Sequence, residues 1–144
     1  MLRTVLVIMG AAFILIGLVG FVSNNLAGTH LTLMHNLIHL VSGAASLYFG
    51  LKASRPAAKI FALAFGAMYM ALAVAGYSFG MTATTTLPAG TAEGYNDHMF
   101  RLIPGVFELG TTDHVLHFII GAVFIIAAAL TRVNLVKYTE GNLE

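Results

Sequence analysis

Two histidines four residues apart, His35 and His39, stand with Asn36 in the stretch MHNLIHLVSG; a second stretch, TDHVLHFIIG, places Asp113 and His114 ahead of His117. Imidazole and carboxylate groups bind divalent metals, relay protons near neutral pH, or act as a base and its orienting partner. Residues four apart share one face of a helix. His35, His39, Gly43 and Ser46 therefore form one stripe, and Asp113, His117 and Gly121 a second. Where two such helices face each other, nitrogen and oxygen donors suited to Zn, Cu, Ni or Fe come together, with His114 as an additional candidate. His39 and His117 could equally hold one haem from two sides.

The same residues also fit a purely structural role. Asp113 and Asn36, with Thr111 or Thr112, can cap helix starts. Imidazoles can link helices as donor and acceptor, at about 1 kcal/mol per hydrogen bond in a membrane. A proton path lacks continuation, because no acidic residue or histidine follows in the far halves of the helices. A hydrolase lacks an identifiable nucleophile, since Ser42 and Ser46 lie where small residues serve packing. Outside the stripes, His30, His98, Glu93, Asp97 and Glu108 read as solvated loop residues, with Glu93, Asp97 and His98 a weak cation site.

The elements that position these residues follow from composition. Of 144 residues, 58% are hydrophobic and 9% charged, against about 25% charged in a soluble domain. Mean hydropathy is +0.87. The bilayer is therefore the expected solvent. A net charge of +1 provides no basic surface for nucleic acid, and the lack of cysteine excludes disulfides and thiolate chemistry.

Four apolar runs, at about residues 2–22, 31–51, 57–81 and 113–130, each approach the ~20 residues that cross a ~30 Å core. The first resembles a signal peptide, but its uncharged run is long and no small-residue cleavage site follows, so it reads as a retained helix. Arg3, Lys52, Arg55, Lys59, Arg132 and Lys137 fall on one side and only Arg101 on the other, which puts both termini in the cytoplasm. Pro56 suits a first helical turn. At ~1.5 Å per residue from Lys52 and Arg132, His39 and His117 lie roughly 20 Å above the cytoplasmic boundary. Ionisable groups at that depth face a partner or a cavity.

Two outward connections remain, a short one at 23–30 and a long one at 82–112. In the long one, TATTT reads as a flexible start that precedes Pro88. HMFRLIPGVFEL reads as an interfacial helix resting Phe100, Leu102, Ile103, Val106 and Phe107 on lipid. HNLIHLVSG aligns without gaps to DHVLHFIIG, His39 over His117 and Gly43 over Gly121, which implies two duplicated hairpins.

These paired signatures resemble a bacterial family of small four-helix membrane proteins catalogued only as a domain of unknown function. The resemblance rests on His35, Asn36, His39 and Gly43, then Asp113, His117 and Gly121, and spans nearly the whole chain. It departs at His114, where Asn is expected. It implies the fold and the importance of the polar positions, and carries no activity.

The expectation is thus an all-α, four-transmembrane-helix bundle of two parallel, duplicated hairpins. It forms one membrane domain over 1–144, with repeats at about 1–53 and 57–132 and the outer loop at 82–112. The expected place is a bacterial inner membrane. The function expected is structural or accessory and non-enzymatic, with the cluster linking helices 2 and 4, and with Asn36, Gly43 and Gly121 packing or capping. The alternative is metal or haem binding through His35, His39, Asp113, His114 and His117. Expected partners are the lipid bilayer and a membrane protein or second copy.

Overall fold

The computed structural model describes residues 1–87 and 95–133. Pro88, Glu93 and Lys137 lie outside the described residues, as does part of the weak cation site. Four helices dominate: α1 Leu2–Gly20, α2 Leu33–Leu51, α3 Arg55–Phe79 and α4 Thr111–Ala129. Three of them, α1, α3 and α4, are long and apolar enough to cross a membrane. The other, α2, is as long as α1 but carries both histidines of the first stripe together with Asn36, Ser42 and Ser46.

Local chemistry sets the ends. The Thr32 hydroxyl, and not Asn36, caps α2 by accepting from the His35 N–H at 3.2 Å. Ser54 caps α3 through the Ala57 N–H, and Pro56 sits in the first turn as the sequence suggests. Neither Thr111 nor Thr112 caps α4. Gly110 is the capping residue, and Asp113 accepts its N–H at 2.9 Å.

The chain packs chiefly as two antiparallel pairs, α1 on α2 and α3 on α4. Small residues make both contacts. A Cβ at Gly10 would stand 2.9 Å from the Gly43 carbonyl oxygen, and one at Gly66 2.9 Å from that of Gly121. The pairs meet at an aromatic core where the Phe13 ring stacks on Tyr69 at 5.6 Å and on Phe124 at 6.3 Å. At the far ends, Arg3 donates to the Ala53 carbonyl and Lys59 to the Thr131 carbonyl. Outward faces present Ile8, Leu15, Val41, Val74, Phe118 and Ile126. Apolar side chains in such positions are consistent with lipid contact.

The long connection departs from the all-α expectation. It holds β1 Met81–Thr84, β2 Tyr95–Ile103 and β3 Phe107–Leu109, an antiparallel sheet in the order β1-β2-β3. The interfacial helix expected for HMFRLIPGVFEL is absent; those residues supply β2, a turn and β3. The reason is pairing: Arg101 lies opposite Glu108 and Phe100 opposite Leu109, so the backbone polar groups are satisfied between strands. Pro104 and Gly105 (φ +75°) make the turn, where the glycine accepts a backbone that other residues resist. Phe107 is buried, not laid on lipid.

Glu108 also differs from expectation. It is fully buried and takes hydrogen bonds from the Thr85 hydroxyl (2.8 Å), the Thr86 N–H (2.9 Å) and hydroxyl, and the Gly105 N–H (3.0 Å). The TATTT segment is therefore the clamp on this carboxylate and not a flexible lead. Arg101 stands 3.6 Å away and also donates to the Thr84 carbonyl. Burial opposes ionisation, but the donors outweigh it and hold the group down at about 2. A lowered folded value stabilises the sheet above the ordinary carboxyl range, and that gain is lost as pH falls through about 2. Amide protection at Thr86 and Gly105, corrected for intrinsic exchange, should fall between pH 4.5 and 2, and Glu108→Gln should abolish the dependence. Unchanged protection over that window would contradict the assignment.

Candidate functional site

The sheet covers one end of the helices, and the polar residues collect beneath it. Asp113, in the first turn of α4, is 2% exposed. Its carboxylate accepts the Gly110 N–H (2.9 Å), the His30 backbone N–H (3.3 Å) and His30 Nδ1 (3.0 Å). His30 belongs to the first connection, which the sequence suggests is solvated, yet it is 1% exposed. Its carbonyl accepts from His35 Nδ1 at 2.8 Å. A carbonyl has no proton to give, so His35 carries its hydrogen on Nδ1. A chain of groups thus runs from α4 through the connection into α2.

The imidazoles themselves pack as rings. His35 lies 4.5 Å from His39 and 6.1 Å from His117, centroid to centroid, and 5.4 Å from Phe107 of β3. His39 sits 5.7 Å from Phe13, and His117 5.1 Å from Tyr69. The expectation that the two stripes meet inside the helices is met for His35, His39 and His117. Nδ1 of His39 and Nδ1 of His117 are buried without a hydrogen-bond partner among the described residues.

His114 and Asn36 go elsewhere. The His114 Nε2–H donates to the His98 carbonyl at 2.8 Å, and its ring lies in the space that a side chain at Gly76 would fill. Asn36 fills the corresponding space at Gly20. Each side chain thus rests where its neighbouring helix exposes bare backbone. Asn96 of β2 was not singled out by sequence, yet its Oδ1 accepts both the N–H (2.9 Å) and the hydroxyl (2.6 Å) of Thr111. It ties the sheet to the start of α4.

A cavity of about 250 Å³ opens beside the rings, between α1 and α4. His35, His39, His117 and Asp113 form its polar end, and Met9, Ala12, Phe13, Ile16, Leu116 and Ile120 its apolar walls. As a metal centre the arrangement is incomplete: among the described residues, no three His, Asp or Glu side chains converge to hold an ion. Asp113 is already occupied by His30 and Gly110, and His114 is held against α3 and β2.

Comparison with protein-family models, with curated proteins and with solved structures finds no match to this chain. Any functional reading therefore rests on the geometry of the cluster.

Proposed function

We propose that the chain is a small, non-enzymatic integral membrane protein of structural or accessory type, in which the His/Asn/Asp cluster pins α2, α4 and the covering sheet into one unit. One observation carries this reading: the Asp113 carboxylate gathers the first connection and the start of α4, while His30 passes the same network on to His35. Buried groups so engaged contribute to stability and specificity of packing. His114 and Asn96 extend the tie to β2.

The wider assignment places all four helices across a bacterial inner membrane with cytoplasmic termini, as the Lys/Arg distribution favours. It also includes an ancestral duplication of one helical hairpin. Matched contacts support that: Gly10–Gly43 with Gly66–Gly121, Phe13–His39 with Tyr69–His117, Gly20–Asn36 with Gly76–His114, and Arg3–Ala53 with Lys59–Thr131. The resemblance to the uncharacterised four-helix family agrees with this arrangement. Lipid is the first partner, and a membrane protein or second copy the next.

His35→Ala tests the role of the cluster. Losing the bond to His30 should cost about 1–3 kcal/mol and lower the melting temperature in detergent. Elemental analysis and the visible spectrum of the wild type, purified from native membranes, should be unaffected by the substitution. Stoichiometric metal or a Soret band that disappears in His35→Ala would replace the structural reading with a binding one.

A further inference from the structure

The ends of the helices away from the sheet carry charge that the polar cluster does not use. Arg3, Lys52, Arg55, Lys59 and Arg132 all stand there. The acidic side chains among the described residues, Asp97, Glu108 and Asp113, belong to the sheet and to the start of α4 beneath it. Two of the cations close helix ends: Arg3 donates to the Ala53 carbonyl just past α2, and Lys59 to the Thr131 carbonyl just past α4. Arg55 is different. It forms no ion pair among the described residues, and it lines one cavity of about 190 Å³ together with Arg3, Met1, Leu2, Ala58 and Thr131. Two guanidinium groups on one cavity, with no carboxylate at that end, attract an anion. We propose that this cavity holds the phosphate diester of an anionic phospholipid, with Arg3 and Arg55 as its ligands.

Four features select that chemistry. A guanidinium presents its N–H groups in a planar fork that matches phosphate oxygens in pairs. Arg3 is already held in place by the Ala53 carbonyl, a bond that commits one corner of its fork and leaves the others for a ligand. The cavity is otherwise apolar: Leu2 and Ala58, 4% and 0% exposed, form a floor that suits the glycerol and first methylenes of a lipid and offers nothing to a bare phosphate ion. At about 190 Å³ the space is too small for a whole lipid, so the acyl chains lie outside, where Ile60, Ile126 and Leu130 are exposed on the adjoining helix ends. A zwitterionic headgroup brings its own cation into this all-basic field, which favours the anionic one.

The inference rests on the membrane placement proposed above, in which these helix ends meet the anionic cytoplasmic leaflet. Its failure and that of the placement are separate results. Protein that stays dispersed without detergent would refute the placement, whereas discrimination between headgroups in micelles depends on the cavity alone.

The test uses the whole chain in neutral maltoside micelles, titrated with dioleoylphosphatidylglycerol or dioleoylphosphatidylcholine and followed by native mass spectrometry. The first equivalent of phosphatidylglycerol should bind roughly tenfold more tightly than phosphatidylcholine. Arg55→Gln should remove that preference, and because the side chain is exposed at the start of α3 the fold should survive. Arg55→Lys, which keeps the charge and loses the fork, should recover part of it. Lys52→Gln removes a charge from the same end but away from the cavity, and should leave the first equivalent within about twofold of wild type. Inorganic phosphate at millimolar concentration should not displace the lipid. The proposal is overturned if the two lipids bind equally, if Arg55→Gln keeps the preference, or if Lys52→Gln loses as much as Arg55→Gln, which would mean diffuse attraction and no site. Displacement of the lipid by inorganic phosphate would also overturn it, in favour of a site for the free ion.

Discussion

Asp113→Ala should lower the stability of the protein in detergent by about 3–5 kcal/mol, more than any other single change in the polar cluster. The carboxylate is 2% exposed and receives three N–H groups, from Gly110, from the His30 backbone and from the His30 ring. Alanine leaves all three donors buried with nothing to accept them, and each orphan costs about 1–3 kcal/mol. The helix start also loses its carboxylate, which favours the N-terminal end of α4. Asp113→Asn keeps an oxygen acceptor of the same shape and should cost less than alanine. The loss should not stay local, because His30 carries the network onward to His35. Amide protection should therefore fall at His30 and Gly110 together, and a double-mutant cycle of Asp113→Ala with His30→Ala should give a coupling of at least about 1 kcal/mol. Reversible unfolding in SDS would measure the cost. An alanine variant within about 1 kcal/mol of wild type would show that the carboxylate does not hold the connection to α4.

The reach of the sequence can be seen in this same network. The spacing of His35 and His39, and of Asp113 and His117, is a property of one helix each, so it is legible without any knowledge of the fold. That the stripes turn inward follows from the cost of exposing such groups to lipid. His30 is different. It lies in a connection, and only the folding of α4 against that connection, eighty-three positions away in sequence, buries it. Nothing local distinguishes it from a solvated loop histidine. Glu108 was hidden for the same reason: its donors come from Thr85, Thr86 and Gly105, and Thr85 and Thr86 belong to a segment whose composition suggests flexibility. The sheet is hard to read because β1 and β3 are four and three residues long, and the nine residues of β2, YNDHMFRLI, do not alternate apolar with polar. Strands so short are defined by their partners and not by their own residues. Asn36 and His114, adjacent to the stripes, suggest a packing or capping residue and a possible ligand. Their destinations were set by Gly20 and Gly76 on neighbouring helices, a relation visible only once the pairs are packed.

The glycines give the second large effect, and they separate duplication from coincidence. A Cβ at Gly43 would lie 2.8 Å from the Gly10 carbonyl oxygen, and one at Gly121 2.8 Å from that of Gly66. At Gly43 the Ile14 side chain stands nearer still, at 2.6 Å, but in both cases backbone also blocks the way, so side-chain rotation alone does not relieve it and the helices must move apart. Gly43→Leu and Gly121→Leu should each cost about 3 kcal/mol or more, at or beyond the upper end of ordinary overpacking. Helix propensity alone would make Gly→Ala favourable by up to about 1 kcal/mol, so a net loss in Gly43→Ala or Gly121→Ala measures the collision directly. If the two hairpins descend from one, the losses should match in pairs, Gly43 with Gly121 and Gly10 with Gly66. Gly17 supplies the internal control. A Cβ there stands 3.0 Å from the Asn36 carbonyl oxygen, a tight but less severe approach, and Ala73 already occupies the corresponding place in α3 with its side chain buried. Gly17→Ala should therefore cost less than about 1 kcal/mol, since a methyl group is accommodated at the matching position. Equal and large losses at Gly10 and Gly66, with a small one at Gly17, would support a shared helix-pair geometry. A large loss at only one member of each pair would mean that the two contacts arose separately, and that the matching motifs reflect helix packing and not common descent.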